Sequence, residues 1–319
     1  MLPSPPDSFH FLVIGPGALG CLFASSLCLG GFRVSLYDYK CDRAAELREE
    51  GITQIRGAEK MHAVLPVFCR PADIPKPDVL FLCVKSTGVQ TALQEIACLL
   101  QHDNLLITLQ NGIGHPAIVD RFFPSLCWAA GVTALGANLQ STHEVVFAGS
   151  GRSRFGFLKG CPEKQQQLLQ HTVAALNVCG FESKISENIE AHIWEKLLIN
   201  VGINALTAIY DCCNGDLLIE EKRRNTLRAA VLEAAAVAEA KGITLAADPV
   251  EQTLAVCKAT AANLSSMLQD VRRCRRTEID AINGAIVRMA QDFSIAVPVN
   301  TALTDQVKKM EQTCGGSRG

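Results

Sequence analysis

The chain has 319 residues, more than one hydrophobic core ordinarily supports, so two domains are the starting expectation. A content of 48% hydrophobic and 19% charged residues excludes a disordered chain, and a formal charge of -2 gives no electrostatic reason for nucleic acid or an anionic membrane as partner. No apolar run approaches the roughly 20 residues needed to span a bilayer.

In chain order, the first half alternates short apolar runs with helical patterns. A strand is expected at 9–15 (FHFLVIG), a small-residue helix at 18–31, a second strand at 33–38 (RVSLYD) and a helix over Asp42–Glu50. Short strand-like runs follow near Ile52 and Val64, then the apolar strand VLFLCVK at 79–85, a helix from Gly88 to Leu100 and the strand LLITLQN at 105–111. Near-continuous apolar strands alternating with helices indicate a parallel sheet covered on both faces. GVTAL, EVVFAG and RFGFL, within 125–158, read as antiparallel extensions of that sheet. From about Ser186 the pattern turns to long helices, at roughly 187–210, 216–241, 248–269 and 274–292, with a short one after Pro298. The fold class is therefore α/β: a Rossmann-like doubly wound sheet domain over 1–185, then an all-helical domain over 186–319.

Fourteen cysteines are many. The start, Met1-Leu2-Pro3-Ser4-Pro5-Pro6, has neither a basic leader nor a small-residue cleavage site, which leads to the expectation of a reducing, cytoplasmic location. With no CxxC and no Cys/His pairing at zinc spacing, no metal is expected. Cys83 and Cys179 lie in apolar runs and read as core residues, and the vicinal Cys212-Cys213 as packing. The basic runs Lys222–Arg224 and Arg272–Arg276 lie beside acids and read as ion-paired or solvated faces.

Gly15-Pro16-Gly17-Ala18-Leu19-Gly20 is a G-x-G-x-x-G turn placed between strand and helix. Gly15 permits the turn, Gly17 lets backbone approach a pyrophosphate, and Gly20 lets helix and strand pack closely. The helix N-terminus then offers free N–H groups and positive dipole to the anion. Asp38 closes the second strand, where a carboxylate accepts from the ribose hydroxyls of NAD and repels a 2′-phosphate; Lys40, two residues on, offsets that repulsion. Lys85 and Asn111 follow the next two strands at their carboxyl ends, where such sheets place ligands, and are candidates for cofactor phosphate or ribose and, for Asn111, the substrate.

In the second domain, Lys196, Asn200 and Asn204 fall at i, i+4 and i+8 of an otherwise apolar helix, forming one polar stripe roughly 12 Å long. The stripe is either a solvent face or a buried site. As a site it supplies a lysine general acid in an interdomain cleft, stabilising the alkoxide formed when a ketone takes up hydride and delivering its proton.

Two C-terminal segments carry a resemblance. WEKLLINVGINALTAIYDCCNGDL (194–217) and NLSSMLQDVRRCRRTEIDAINGAIVRMA (263–290), taken with the GPGALG turn, resemble the ketopantoate reductase (2-dehydropantoate 2-reductase) family over nearly the whole chain. The resemblance implies NADPH-dependent reduction of 2-dehydropantoate to (R)-pantoate in pantothenate synthesis, with Lys196 as proton donor. It further implies Asn200, Asn204 and Asn214 at the substrate, Asn263 and Ser266 holding the keto acid's carboxylate and hydroxyl, and Glu278 touching the nicotinamide ribose and orienting the lysine. Asn111, Lys85 and Ala137 would border the cofactor. One departure stands out: NADPH-using members carry an arginine after the second strand, where this chain reads Tyr37-Asp38-Tyr39-Lys40, so NADP and NAD both stay open. The partner is a small 2-keto acid, and a homodimer is compatible with the sequence. Other readings are a related 2-keto acid or 3-hydroxyacid-type dehydrogenase, and a non-catalytic NAD(P)-sensing protein.

Overall fold

The computed structural model describes residues 9–149 and 151–315. These divide into two compact units: one runs to Gln110 and resumes over His115–Ile189, and the other comprises Asn111–Gly114 and the chain from Glu190.

The first unit contains, in order, β1 (His10–Ile14), α1 (Ala18–Leu29), β2 (Arg33–Tyr37), α2 (Cys41–Glu50), β3 (Ile52–Arg56), β4 (Glu59–Ala63), β5 (Val67–Phe68), β6 (Val79–Leu82), α3 (Val89–Glu95), β7 (Leu105–Thr108), α4 (His115–Phe122), β8 (Trp128–Thr133), β9 (Gly136–Leu139), β10 (Glu144–Gly149), β11 (Ser153–Phe157), α5 (Glu163–Val178) and β12 (Ser183–Ile185). Eight strands form one sheet in the order β12-β11-β8-β7-β6-β1-β2-β5. From β5 to β8 all pairings are parallel, with Leu12 of β1 opposite Ser35 of β2 on one side and Leu80 of β6 on the other. β1 and β6 are buried along their whole length, as expected for strands covered on both faces. The chain runs outward from β1 to β2 and then crosses to β6, so the strand order reverses between β1 and β6, and ligands of such sheets bind beyond the carboxyl ends at that point.

The run at 144–149 is not an extension of this sheet. β10 joins a second, four-stranded sheet of order β4-β3-β10-β9, and β8 continues the main sheet in parallel, leaving β11 as its antiparallel neighbour. Packing explains the arrangement. α1 is buried from Gly20 to Leu27 because it contacts strands of both sheets, which accounts for its lack of a polar face. Its buried hydroxyls, Ser25 and Ser26, are bonded by the Gln54 side-chain amide from the second sheet. The Arg56 guanidinium lies 4.8 Å from the Phe147 ring centroid and 5.3 Å from that of Phe181, sealing the edge of this layer.

The structure adds two disulfides to which the sequence reading assigned no cysteine, and these sit against the expectation of a reducing location. Cys41 and Cys69, 5.0 Å apart at Cα, form a disulfide, as do Cys127 and Cys161 at 5.7 Å. Spacing could not show this, because the paired residues lie 28 and 34 positions apart and the fold alone brings them together. Cys21 and Cys257 are buried free thiols, and burial raises the pKa of each.

The second unit is helical: α6 (Ile189–Tyr210, its first residue counted with the first unit), α7 (Glu221–Ala240), α8 (Pro249–Ala259), α9 (Ser266–Arg272), α10 (Asn283–Asp292) and α11 (Pro298–Gly315). Three expectations change here. The helix expected over 248–269 is interrupted, since the carbonyls of Ala261 and Asn263 turn to accept the Gly215 and Asn214 N–H groups. The helix expected over 274–292 starts only at Asn283, after an irregular turn in which Cys274 has φ 48°. The last helix is 18 residues rather than short, and Glu233 of α7 caps it by accepting from the Val299 and Asn300 N–H groups. Asn300 also donates to the Ala230 carbonyl and accepts from Asn283, which in turn donates to Val201, so one buried amide network ties four helices together. The basic runs are ion-paired in part: Arg223 with Glu220 at 2.7 Å, and Arg272 with Asp211 at 2.7 Å.

Candidate active site

The glycine turn leaves β1 at the switch point. Gly15 has φ +95°, a conformation side-chain-bearing residues rarely adopt, and its N–H donates to the Tyr37 carbonyl at 3.0 Å. A Cβ on Gly20 would lie 2.1 Å from the Gly15 carbonyl oxygen, so this position is closed by the fold itself. Gly17 is different: it is exposed, and the nearest protein atom to a Cβ there is the Cys83 carbonyl oxygen at 3.8 Å. Among the described residues no protein neighbour demands a glycine at 17. Gly17 is also the N-cap of α1, and no side chain caps that terminus. Bare N–H groups and a side-chain-free approach fit a dinucleotide pyrophosphate.

Asp38 is buried at 1% exposure, and its carboxylate is already engaged. Arg43 Nε donates to Oδ2, Arg43 Nη2 to Oδ1 at 2.8 Å, and the Lys40 backbone N–H to Oδ1 at 3.2 Å. The expected free acceptor for a ribose is thus one half of an ion pair. Arg43, which sequence reasoning missed, stands in the first turn of α2 five residues after Asp38; a cation at that distance past the strand was the available signal. Lys85 is exposed at the end of β6, and the Val84 beside it packs on Gly15. Ala137 is placed in β9 of the second sheet, opposite Phe147 and packed on the hydrophobic core.

In the second unit, the stripe on α6 is not a solvent face. Asn204 is 5% exposed and Lys196 and Asn200 are half-buried. Burial lowers the pKa of Lys196 to about 8, and the Glu278 carboxylate opposes that shift by favouring the charged amine. Glu278 is itself 8% exposed and accepts from Asn111 Nδ2 at 3.0 Å. Its backbone carbonyl accepts from Ala281 and Ile282, which folds the segment before α10 into a tight turn. The loop Asn111–Gly114 lies flat on that turn: Ile113 donates to the Ala281 carbonyl at 3.0 Å, and a Cβ on Gly112 (φ +78°) would come within 2.1 Å of the same oxygen. Lysine, glutamate and asparagine are therefore brought into one cluster within this unit.

The remaining expected residues cluster around the break between α8 and α9. Asn214 is 7% exposed; its N–H donates to the Asn263 carbonyl at 3.0 Å and its Nδ2 to Thr260 Oγ1 at 2.9 Å, while its Oδ1 is buried with no protein partner. The Asn263 and Ser266 side chains are exposed. Ser265, by contrast, is buried, caps α9 through Leu268 N and accepts from Thr207 Oγ1 at 2.6 Å. Thr207 lies three residues beyond Asn204, so the stripe's far end is fixed to the start of α9 by two hydroxyls that sequence reasoning passed over. Their signal was weak, since Ser and Thr are ordinary helix-terminus residues.

Comparison with known proteins covers both units. Residues 11–160 match the family model "Ketopantoate reductase PanE/ApbA" and residues 188–311 match "Ketopantoate reductase PanE/ApbA C terminal". The 2-dehydropantoate 2-reductase of Halobacterium salinarum is 33% identical over 299 residues, spanning 93% of this chain and 97% of that protein. Among solved structures, a PanE/ApbA family ketopantoate reductase from Ralstonia eutropha JMP134 aligns with TM-score 0.88 at 26% identity, over 96% of this chain and all (100%) of that one. D-mandelate dehydrogenase in its ternary complex with NADH and anilino(oxo)acetate aligns with TM-score 0.87 at 27% identity, over 96% and 100% of the two chains.

Proposed function

This chain belongs to the ketopantoate reductase family, and from that premise we propose that it reduces the C2 ketone of 2-dehydropantoate to the alcohol of pantoate, with Lys196 as proton donor. The observation that supports Lys196 most directly is its enclosure beside Glu278 with a pKa lowered to about 8, close to where a general acid works best. When bound, reduced nicotinamide supplies the hydride that C2 receives. The protein's part is to hold the ketone oxygen at Lys196 Nζ, stabilise the negative charge forming there and hand over the proton. Glu278 keeps the amine protonated, and Asn111 holds the Glu278 carboxylate in place.

Asn200 and Asn204, further along the α6 stripe, and Asn214, Asn263 and Ser266 near its far end are proposed to bind the remaining polar groups of the substrate. The buried, unpartnered Asn214 Oδ1 suits one of its hydroxyls. In the first unit the nicotinamide dinucleotide is assigned to Gly15–Gly20, Lys85, Ala137 and the Asp38–Lys40 end of β2; in the second, Asn111 and Glu278 carry the cofactor role that the family resemblance implies. NADPH is the form proposed, because Arg43 already engages the carboxylate that would reject a 2′-phosphate.

The test is steady-state oxidation of NADPH and NADH with 2-dehydropantoate and with a panel of other 2-keto acids, including aryl ones. A clear kcat/KM advantage for 2-dehydropantoate supports the reading. An advantage for an aryl keto acid would move the chain's activity towards that of D-mandelate dehydrogenase.

A further inference from the structure

The exposed side chains of Asn263 and Ser266 stand on a segment whose place is set by α6 and the loop that follows it. The Gly215 N–H donates to the Ala261 carbonyl at 3.1 Å, and the Asn214 N–H to the Asn263 carbonyl at 3.0 Å. A Cβ on Gly215 would lie 2.7 Å from the Ala261 Cβ, so the two stretches of chain touch there. Beyond Asn263 the hold passes through side chains. Thr207 Oγ1 donates to Ser265 Oγ at 2.6 Å, and Ser265 Oγ accepts the Leu268 N–H at 3.1 Å. Thr207 and Ser265 are both buried.

Each hydroxyl adjoins a residue proposed to bind substrate. Thr207 Oγ1 is 3.0 Å from the Asn204 carbonyl oxygen, three residues back on α6, and Ser265 directly precedes Ser266. Either hydroxyl would be satisfied without the other: Thr207 by the Ile203 carbonyl at 2.9 Å, as helical threonines commonly are, and Ser265 by its cap on α9. Their contact instead fixes the separation of α6 from the start of α9. With it goes the spacing of Asn204 from Ser266.

We propose that Thr207 and Ser265 are a positioning pair for substrate binding: their bond sets Asn263 and Ser266 against Asn204 at the spacing that grips the polar groups of the keto acid other than its ketone. The inference rests on the proposed function and adds two residues that act through their neighbours. Thr207 lies 11 residues beyond Lys196 on α6, roughly 16 Å along the helix axis, so loosening the pair leaves the proton donor in place. The carboxylate and hydroxyl of the substrate keep their charge during hydride transfer. Contacts to them act alike in the ground and transition states, and their loss raises KM far more than it lowers kcat.

The experiment is steady-state kinetics of the whole protein, with 2-dehydropantoate and NADPH varied in turn and the unfolding midpoint recorded. It is run on wild type, Thr207→Val, Thr207→Ser, Ser265→Ala and the variant combining Thr207→Val with Ser265→Ala. Thr207→Val keeps the side-chain shape without the hydroxyl. The KM for the keto acid should rise about tenfold, with kcat within about threefold of wild type and the KM for NADPH unchanged. Ser265→Ala should do the same, and the double variant no more than either single one, because all three remove one bond. Thr207→Ser restores the hydroxyl and should stay within about twofold of wild type; with Ser265→Ala it carries the comparison if the valine variant does not fold. An unchanged keto-acid KM, an equal rise in Thr207→Ser, additive effects in the double variant, or a kcat and NADPH loss that tracks the unfolding midpoint overturns the pair's role. If wild type prefers another 2-keto acid, the reading of the substrate falls, and the pair stands or falls on the same KM pattern with that acid. Wild type that reduces no keto acid overturns both.

Discussion

Asn111 Nδ2 donates to Glu278 Oε2 across 3.0 Å, although 167 residues separate the two in the chain. The bond is possible because Gly112 has no side chain and lets the 111–114 loop lie against the Ala281 carbonyl. It occupies one oxygen of the carboxylate that acts on Lys196 and so fixes where that charge points.

Gly112→Ala should therefore break the cluster without touching any reacting group. The added Cβ would sit 2.1 Å from the Ala281 carbonyl oxygen, and backbone cannot yield as a flexible side chain does. The loop lifts and Asn111 leaves Glu278. The expected outcome is a loss in kcat of about tenfold or more with the purified protein still folded, since misplacing a catalytic group by an ångström has effects of this size or larger. Steady-state kinetics alongside circular dichroism checks it; unchanged kcat would disconnect the loop from the chemistry.

A second prediction concerns pH. Lys196 must be charged to donate, and its pKa lies near 8, so kcat/KM for ketone reduction should fall as pH rises through about 8. Oxidation of the alcohol needs the neutral amine and should rise over the same interval. Glu278→Gln removes the charge that favours the ammonium, so both limbs should shift to lower pH. Lys196→Ala should cost about 10²- to 10⁴-fold in kcat. Profiles that do not move in Glu278→Gln would remove Glu278 from this role.

Gly17 and Gly20 should respond in opposite ways to the same substitution. Gly20→Ala places a Cβ 2.1 Å from the Gly15 carbonyl oxygen and should lower the unfolding midpoint or prevent folding. Gly17→Ala meets nothing closer than 3.8 Å and should keep the wild-type midpoint while weakening NADPH and NADH binding by about tenfold or more. Dinucleotide affinities unchanged in Gly17→Ala would mean that nothing approaches the turn there.

Acid should destabilise the first unit through His115. Its ring is 5% exposed, edge-on to Trp128 at 6.4 Å, with Nδ1 buried and unpartnered, and burial lowers its pKa to about 4. In the unfolded chain it protonates near pH 6.5, so the neutral ring's contribution is fully present above about 6.5. It declines as pH falls to about 4 and is then exhausted. The total is about 3 kcal/mol by linkage. Denaturant titrations between pH 4 and 7 should show this slope, and His115→Phe should flatten it.

Much of this molecule was legible before folding was considered. The glycine turn, the buried parallel strands and the α6 stripe are local patterns whose meaning follows from periodicity and from the steric demands of glycine. The helix breaks at 260–265 and 273–282 were not legible, because the carbonyls and hydroxyls that end those helices are satisfied by the 214–215 loop, Thr207 and the 111–114 loop, all distant in sequence.

The chain alone determined the class of fold and the family, since these reside in residue identity and spacing. Only tertiary structure decided which charges meet. Asp38 faces Arg43 rather than a free ribose site, Glu278 faces Lys196 and Asn111, and Cys41 and Cys127 find partners 28 and 34 residues away. The physical reason is that a charge or thiol acts over a few ångströms of space, and strands and helices separate sequence neighbours while bringing distant residues together.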